Sequence, residues 1–523
     1  MMERAESISF EVSMKNVLLI NLKSKGTGIK TAPQGIAKLG GLLLLYTHFE
    51  PHYYDEQIEP LPPIKELVEK YNPAFIGFSA QIGSAASLFE HLKEIEEAGI
   101  DIPVNVGNMI ATYASDEVLK RFPWVTCMTG RAEVPSEFQK IFSLDPTISY
   151  PEDTVFEAKA DSDGFFRDLP IEHYEEFWIE CSHGCPWKAD GVGCRYCAIL
   201  PNGASRDIVT RPMEYILADI QALLDRGVKH IKFSDEEFLA TPIKQVNEVI
   251  QFLSGKGVTF DFAARVNDII RIQIYKEKQV FGENSDLFAR MKDAGLIGVY
   301  LGIESGSNAQ LARMHKGVTV EDNLRAVQIL KENGIRIAVG WIMFDPEMEN
   351  LEELKENITF LRKADLVPKT PFDDFVTNTV NRMMILRGAP LQRDMEKRGL
   401  LGELKENLTM YEFKWLSPWV ARIVELFDEW DQKAGTAKLY RIKLIVSLVG
   451  DRMETGLLPD VEKKVCDAFF AIKNMNLEIC EKLVDHALEL QTNGGKPEDL
   501  EIPEEMWERY DSILESVRED GIL

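Results

Sequence analysis

The chain has 523 residues, 45% of them hydrophobic and 9% aromatic, which excludes extended disorder and exceeds what one compact core can hold. Its 59 Lys and Arg stand against 85 Asp and Glu, a formal charge of −26 that repels phosphate backbones and anionic headgroups and argues against nucleic acid as a partner. The N-terminal residues carry acids and no apolar signal core, and the most apolar run, Gly40 to Tyr46, is too short for a bilayer; a cytoplasmic protein without a membrane span is expected.

Taken in chain order, residues 1–14 form a tail. The run Val17-Leu-Leu-Ile-Asn-Leu22 predicts a strand, followed by a loop and a helix from Gly35 to Tyr46. The pattern returns at Pro73 to Ser79 with a helix through Leu88 to Glu97, and again at Ile102 to Gly107 with a helix from Ser115. Apolar strands alternating with helices read as an open parallel sheet, with its ligand site at the carboxyl ends of the strands, over residues 15–143. Residues 144–168, with weak periodicity, read as a linker across the surface.

Strand–helix alternation resumes over residues 169–367. The candidates are Glu176 to Ile179, His230 to Ser234, Thr259 to Ala263, Gly298 to Ile303 and Ile335 to Met343, a full or partial parallel β/α barrel. Residues 368–523 read as a mainly helical domain in which Cys466 and Cys480 are simply buried thiols. The fold class is thus α/β: a Rossmann-like domain, a parallel barrel and a helical C-terminal domain.

Four of the seven cysteines lie between Cys181 and Cys197, directly after the first barrel strand, and a tight cluster in a large intracellular chain favours metal or redox chemistry over disulfides. Two Cys pairs could make a structural zinc site. A single loop carrying Gly184, Gly191 and Gly193, ahead of a barrel, better suits an iron–sulfur cluster, and both readings stay open on spacing alone.

The phrase Ser182-His-Gly-Cys-Pro186 and the close pair Cys194-Arg-Tyr-Cys197 resemble the cluster loop of the radical S-adenosylmethionine (SAM) superfamily. The usual Cys-x3-Cys-x2-Cys spacing is expanded here, with eight residues between Cys185 and Cys194. Ser234-Asp-Glu-Glu-Phe238, Gly302-Ile-Glu-Ser-Gly306, Met314-His-Lys-Gly317 and Val339 to Pro346 look like further family phrases in the family's order. The resemblance implies that Cys185, Cys194 and Cys197 bind a [4Fe-4S] cluster with one open iron, and that Cys181 is a neighbour. It also implies SAM contacts at Tyr196, Asp235, Glu236, Arg265, Glu304 and Ser305.

A parallel-sheet domain ahead of such a barrel resembles the cobalamin-dependent subfamily. The phrases Ala32-Pro-Gln34, Ser79-Ala-Gln81, Gly107-Asn108 and Thr129-Gly-Arg-Ala-Glu133 carry that likeness. They imply cobalamin contacts at Gln34, Ser79, Gln81, Gly107, Asn108, Gly130 and Glu133. No Asp-x-His-x-x-Gly loop is present, so base-off binding without a histidine below the cobalt is expected.

The expanded loop with Trp187 is similar to that of methyltransferases acting on ribosomal peptides. The implied reaction is hydrogen abstraction by a deoxyadenosyl radical and methyl transfer from methylcobalamin to an unactivated carbon of a peptide or protein, with an electron donor such as flavodoxin or ferredoxin. Glutamine C-methylation of methyl-coenzyme M reductase is a specific candidate. The alternative is a rearrangement, cyclisation or redox step without methyl transfer. A methylthiotransferase is disfavoured, because the first domain offers only Cys127.

Overall fold

The computed structural model describes residues 14–24, 29–134, 137–138, 157–187, 193–198, 208–280, 282–369, 379–434 and 460–518. The first apolar run is strand β1 (Lys15–Asn21), buried from Val17 onward. Val17 and Leu19 enter the core that holds helix α1 (Gln34–Tyr46), whereas Leu18 and Ile20 enter a second core on the other face. A strand covered on both sides favours apolar residues throughout, which is why Val17 to Ile20 is a continuous apolar run, and the buried Asn21 that ends the strand donates to Asp55 at 2.9 Å. Within α1 the backbone packs so closely that a Cβ at Gly41 would lie 1.9 Å from the carbonyl oxygen of Lys159.

Strand β2 (Phe49–Asp55) was not located from the sequence. It pairs in parallel with β1 and alternates in burial, and it carries Pro51. It lies at the sheet edge, where a missing backbone donor is tolerated. Helix α2 (Ile64–Tyr71), β3 (Ile76–Ser79), α3 (Ala85–Glu97), β4 (Val104–Gly107), α4 (Asn108–Arg121) and β5 (Thr126–Cys127) complete the unit. The parallel sheet has the order β2-β1-β3-β4-β5. Strand order reverses between β1 and β3, and sheets of this topology open a crevice there, beyond the carboxyl ends of the strands.

Of the stretch expected to cross the surface as a linker, residues 157–168 are described, and they do not behave as one. They include helix α5 (Ser162–Asp168), capped by the Asp161 carboxylate, which accepts from the Gly164 amide at 3.0 Å. Phe165 is buried against Tyr53, whose hydroxyl donates to Asp161 at 2.8 Å. Aromatic residues at positions 53 and 165 bind this segment to β2.

The barrel region begins with β6 (Trp178–Ile179) and a short ribbon of β7 (Ser182–His183) antiparallel to β8 (Val209–Thr210). Helix α6 (Met213–Asp225), β9 (His230–Phe233), α7 (Ile243–Leu253), β10 (Thr259–Arg265), α8 (Val266–Glu277), α9 (Leu287–Asp293) and β11 (Leu296–Glu304) follow. Helices α10 (Asn308–Arg313) and α11 (Val320–Glu332), strand β12 (Arg336–Trp341) and helix α12 (Glu352–Lys363) end the unit. The strands form a parallel sheet in the order β12-β11-β10-β9-β6, a partial barrel. On β10, Phe260, Phe262 and Ala264 are buried and Thr259, Asp261, Ala263 and Arg265 alternate with them on the more open face.

The C-terminal region is mainly helical, but it starts with strands the sequence reading did not anticipate. Strand β13 (Ile385–Leu386), helix α13 (Pro390–Lys397), β14 (Leu401–Leu404) and β15 (Met410–Phe413) give an antiparallel sheet in the order β13-β15-β14. Helices α14 (Pro418–Ala434), α15 (Asp460–Thr492) and α16 (Glu504–Arg518) pack around Trp430, which contacts Trp507 and Tyr510. Cys480 is buried there; the Cys466 side chain lies outside the described residues. Among the described residues no helix is long and apolar enough to cross a membrane.

Candidate active site

The cysteine loop leaves β6 through Glu180 and is fixed at once by the end of β9. Asp235 accepts from the amides of Cys181 (3.0 Å) and Ser182 (2.6 Å) and from the Ser182 hydroxyl (2.7 Å). Burial pushes its carboxyl up to about 6. Asp235 is therefore an internal brace of the loop. Glu236 likewise accepts from the Gly184 amide at 3.0 Å. Ser305, also expected to meet SAM, is fully buried and bonded to Gln310 and Asn357, so its hydroxyl stays inside the fold.

Cys181 is fully buried, and burial with the nearby Asp235 raises its thiol well above the usual range, leaving it a neutral core residue. Cys185, Cys194 and Cys197 are partly exposed, and the Cys197 amide donates to the Cys194 carbonyl at 3.2 Å in a tight turn. Among the described residues no three His, Cys, Asp or Glu side chains are grouped closely enough to share one metal ion.

Beside the loop, the ends of β10 and β11 meet the turn at residues 314–317. The Lys316 ammonium donates to Glu304 Oε1 at 2.9 Å and to the Tyr196 hydroxyl at 3.3 Å. Tyr196 and Glu304 thus come together, with Lys316 between them. Glu304 has φ of 66°, a left-handed backbone that is strained for a glutamate and turns the chain sharply at the end of β11.

Arg265 reaches the same place. Its guanidinium lies 4.4 Å from the Trp187 ring and donates to the Lys316 carbonyl at 3.1 Å. Its Nε is buried without a partner, as are Glu237 Oε1 and His315 Nδ1. Burial and the adjacent Asp268 carboxylate raise the Glu237 carboxyl well above its usual range, despite Arg265 nearby. Unsatisfied buried donors and acceptors cost free energy unless something meets them, so this corner fits a polar, zwitterionic ligand.

On the other side of Glu180 lies a cavity of about 400 Å³ at the carboxyl ends of β1, β3, β4 and β5. Gln34, Ser79, Gly107, Asn108, Gly130 and Glu133 all line it; Gln81 does not. The Gln81 carbonyl instead accepts from the Ser84 amide at the start of α3. Asn108, at φ 70°, donates to the Ser79 hydroxyl at 3.1 Å.

Lys38, Arg131 and Glu180 are lining residues that sequence reasoning did not assign, although Arg131 sat inside a quoted phrase. Lys38 donates to Glu133 and Glu180, both at 2.7 Å, and Arg131 meets the same two carboxylates at 3.0 Å. Burial alone would raise the Glu180 carboxyl, but Lys38 and Arg131 hold it down to about 2. Lys38 stands 95 and 142 positions from its two partners and Arg131 stands 49 from Glu180, separations that give no local signal.

The structure joins a parallel-sheet domain to a partial-barrel domain. Residues 179–361 match the radical SAM superfamily, and such a domain takes a [4Fe-4S] cluster and SAM. The chain is 28% identical over 345 residues to 4'-phospho-dehydrooxetanocin synthase of Priestia megaterium, an alignment covering 59% of this chain and 45% of that protein. The chain therefore spans under half the length of that relative.

In fold it is similar to the cobalamin-dependent S-adenosylmethionine radical enzyme OxsB, solved with aqua-cobalamin bound. The TM-score is 0.74 at 19% identity, covering 97% of this chain and 80% of the other. It is also similar to the radical S-adenosylmethionine methyltransferase TsrM of Kitasatospora setae, solved with cobalamin and a [4Fe-4S] cluster. There the TM-score is 0.53 at 14% identity, covering 74% and 75%.

Proposed function

We propose that this chain is a cobalamin-dependent radical SAM enzyme that methylates an unactivated carbon, the substrate being a peptide or protein. One observation carries the cofactor reading: the cavity at the β1/β3 switch point is lined by Glu180 and Ser234, which also flank the cysteine loop and its brace. A ligand in the cavity thus adjoins the radical SAM site. The same reading divides the chain into a cobalamin-binding domain at 15–143, a radical SAM barrel at 169–367 and a helical domain at 368–523.

When bound, the cluster and SAM supply a deoxyadenosyl radical and cobalamin supplies a methyl group. The protein's part is to bind and orient. Cys185, Cys194 and Cys197 are the residues that would hold the cluster. Glu304, fixed by Lys316, would accept hydrogen bonds from the ribose or amine, and the Arg265 guanidinium would pair with the carboxylate. Gln34, Ser79 and Asn108 offer polar groups to the amide rim of a corrin. An external flavodoxin or ferredoxin provides electrons.

The deciding experiment is anaerobic incubation of the reconstituted chain with SAM carrying a deuterated methyl group and candidate peptides, including a glutamine-containing peptide of methyl-coenzyme M reductase, followed by mass spectrometry. A product heavier by one labelled methyl supports the proposal. The relative named as a dehydrooxetanocin synthase favours a second reading, a rearrangement or redox step, for which deoxyadenosine forms and the product gains no methyl.

A further inference from the structure

We propose that the N-terminal sheet domain grips the cysteine loop at both ends, so that filling the cavity tightens SAM binding at the loop. This inference rests on the cofactor assignment proposed above and adds a coupling between the two sites.

The first grip is at Glu180, five residues before Cys185. Its carboxylate closes a ring of two cations and two anions with Lys38, Arg131 and Glu133. Lys38 belongs to α1, and Arg131 and Glu133 follow β5. All three line the cavity. Removing one member would leave a buried charge uncompensated, so the four side chains move as one unit.

The second grip is at the other end of the loop. The Tyr113 hydroxyl donates to the carbonyl of Ala198, the residue after Cys197. Tyr113 sits just before a break in α4, where Ala114 has non-helical angles (φ −134°, ψ 26°). The break sets off residues 108–113 as a short strut. At one end of the strut Asn108 lines the cavity, and at the other end Tyr113 holds the loop.

Each grip therefore starts on an element of the cavity wall and finishes within five residues of a cluster cysteine. A ligand that fixes α1 and the strut fixes both ends of the loop on which SAM binds. By thermodynamic reciprocity, SAM on the loop must then favour ligand in the cavity by the same factor.

The test is a SAM titration of the full chain carrying its cluster, with and without saturating hydroxocobalamin. Wild-type protein is expected to bind SAM at least about five-fold more tightly with the corrinoid present. In Tyr113→Phe the corrinoid-free SAM affinity stays at the wild-type value, and the enhancement falls to about two-fold or less, as it does in Glu180→Gln. Tyr113→Phe loses one hydroxyl and keeps the ring, so it remains informative if Glu180→Gln does not fold. Equal SAM affinity with and without bound corrinoid in the wild type would overturn the inference, as would full enhancement in Tyr113→Phe. Failure of the wild type to retain hydroxocobalamin, visible in its absorption spectrum, sinks the cofactor reading itself and the coupling with it.

Discussion

Trp187 occupies the space that a side chain at position 317 would need: a Cβ added to Gly317 would lie 1.8 Å from the indole ring. The same indole donates to the His315 carbonyl at 2.8 Å. Gly317 also has φ of 72°, which other residues reach only with strain. The turn at 314–317 is thus shaped to seat the cysteine loop.

Gly317→Ala should dislodge Trp187 and with it the stacked Arg265. The expected outcome is a folded chain with a normal circular dichroism spectrum and a SAM affinity reduced by about ten-fold or more, equivalent to about 1.4 kcal/mol. Unchanged SAM binding would show that Trp187 plays no part in the site.

Substituting Cys185, Cys194 or Cys197 by Ala should each abolish cluster retention, read as loss of iron, of sulfide and of the visible charge-transfer band. Cys181→Ala should keep them, because that thiol is buried in the core; its cost is about 1 kcal/mol or more of stability, seen as a lower melting temperature. A cluster lost only with Cys181 would reverse the ligand assignment.

Asp235 makes stability depend on pH in an uncommon direction for a carboxylate. Burial lifts its folded pKa from 3.8 to about 6, so the native state holds the proton more tightly than the unfolded chain does. Its contribution is fully present below about 4 and is lost as pH rises through about 6, up to about 3 kcal/mol. Asp235→Asn should flatten the pH dependence of the melting temperature between pH 4 and pH 7, measured against wild type in the same buffers. An identical slope in both proteins would refute this assignment.

Ser79→Trp should fill the cavity from the end of β3. Bound hydroxocobalamin per chain is expected to fall at least about ten-fold, a loss of about 1.4 kcal/mol or more, while cluster content stays normal. Retention of full corrinoid would place the ligand elsewhere.

Much of this was legible in the sequence, for identifiable reasons. Strand β1, covered on both faces, announces itself as an apolar run, as does β11 although one of its faces is more open, and the cysteine loop is contiguous. Strand β2 escaped because an edge position permits Glu50, Pro51 and His52, and the strands β13 to β15 escaped because they are short and half exposed. The phrases that resemble family motifs named Glu304 and Tyr196, which the structure places on either side of Lys316, but a motif does not say which way a side chain faces. Asp235 and Ser305 satisfy the backbone and the interior; Lys316, in a quoted phrase without an assigned role, is the residue that links Tyr196 to Glu304.

The pairing of β7 with β8 has a consequence for how this loop can vary. Ser182 lies opposite Thr210 and His183 opposite Val209, a two-rung neck that joins the two ends of the segment carrying the three cysteines. Residues added inside such a purse lengthen its circumference without changing the distance across its mouth. The eight-residue spacer between Cys185 and Cys194 is therefore a place where length can be exchanged between homologous chains while the strands beneath keep their register.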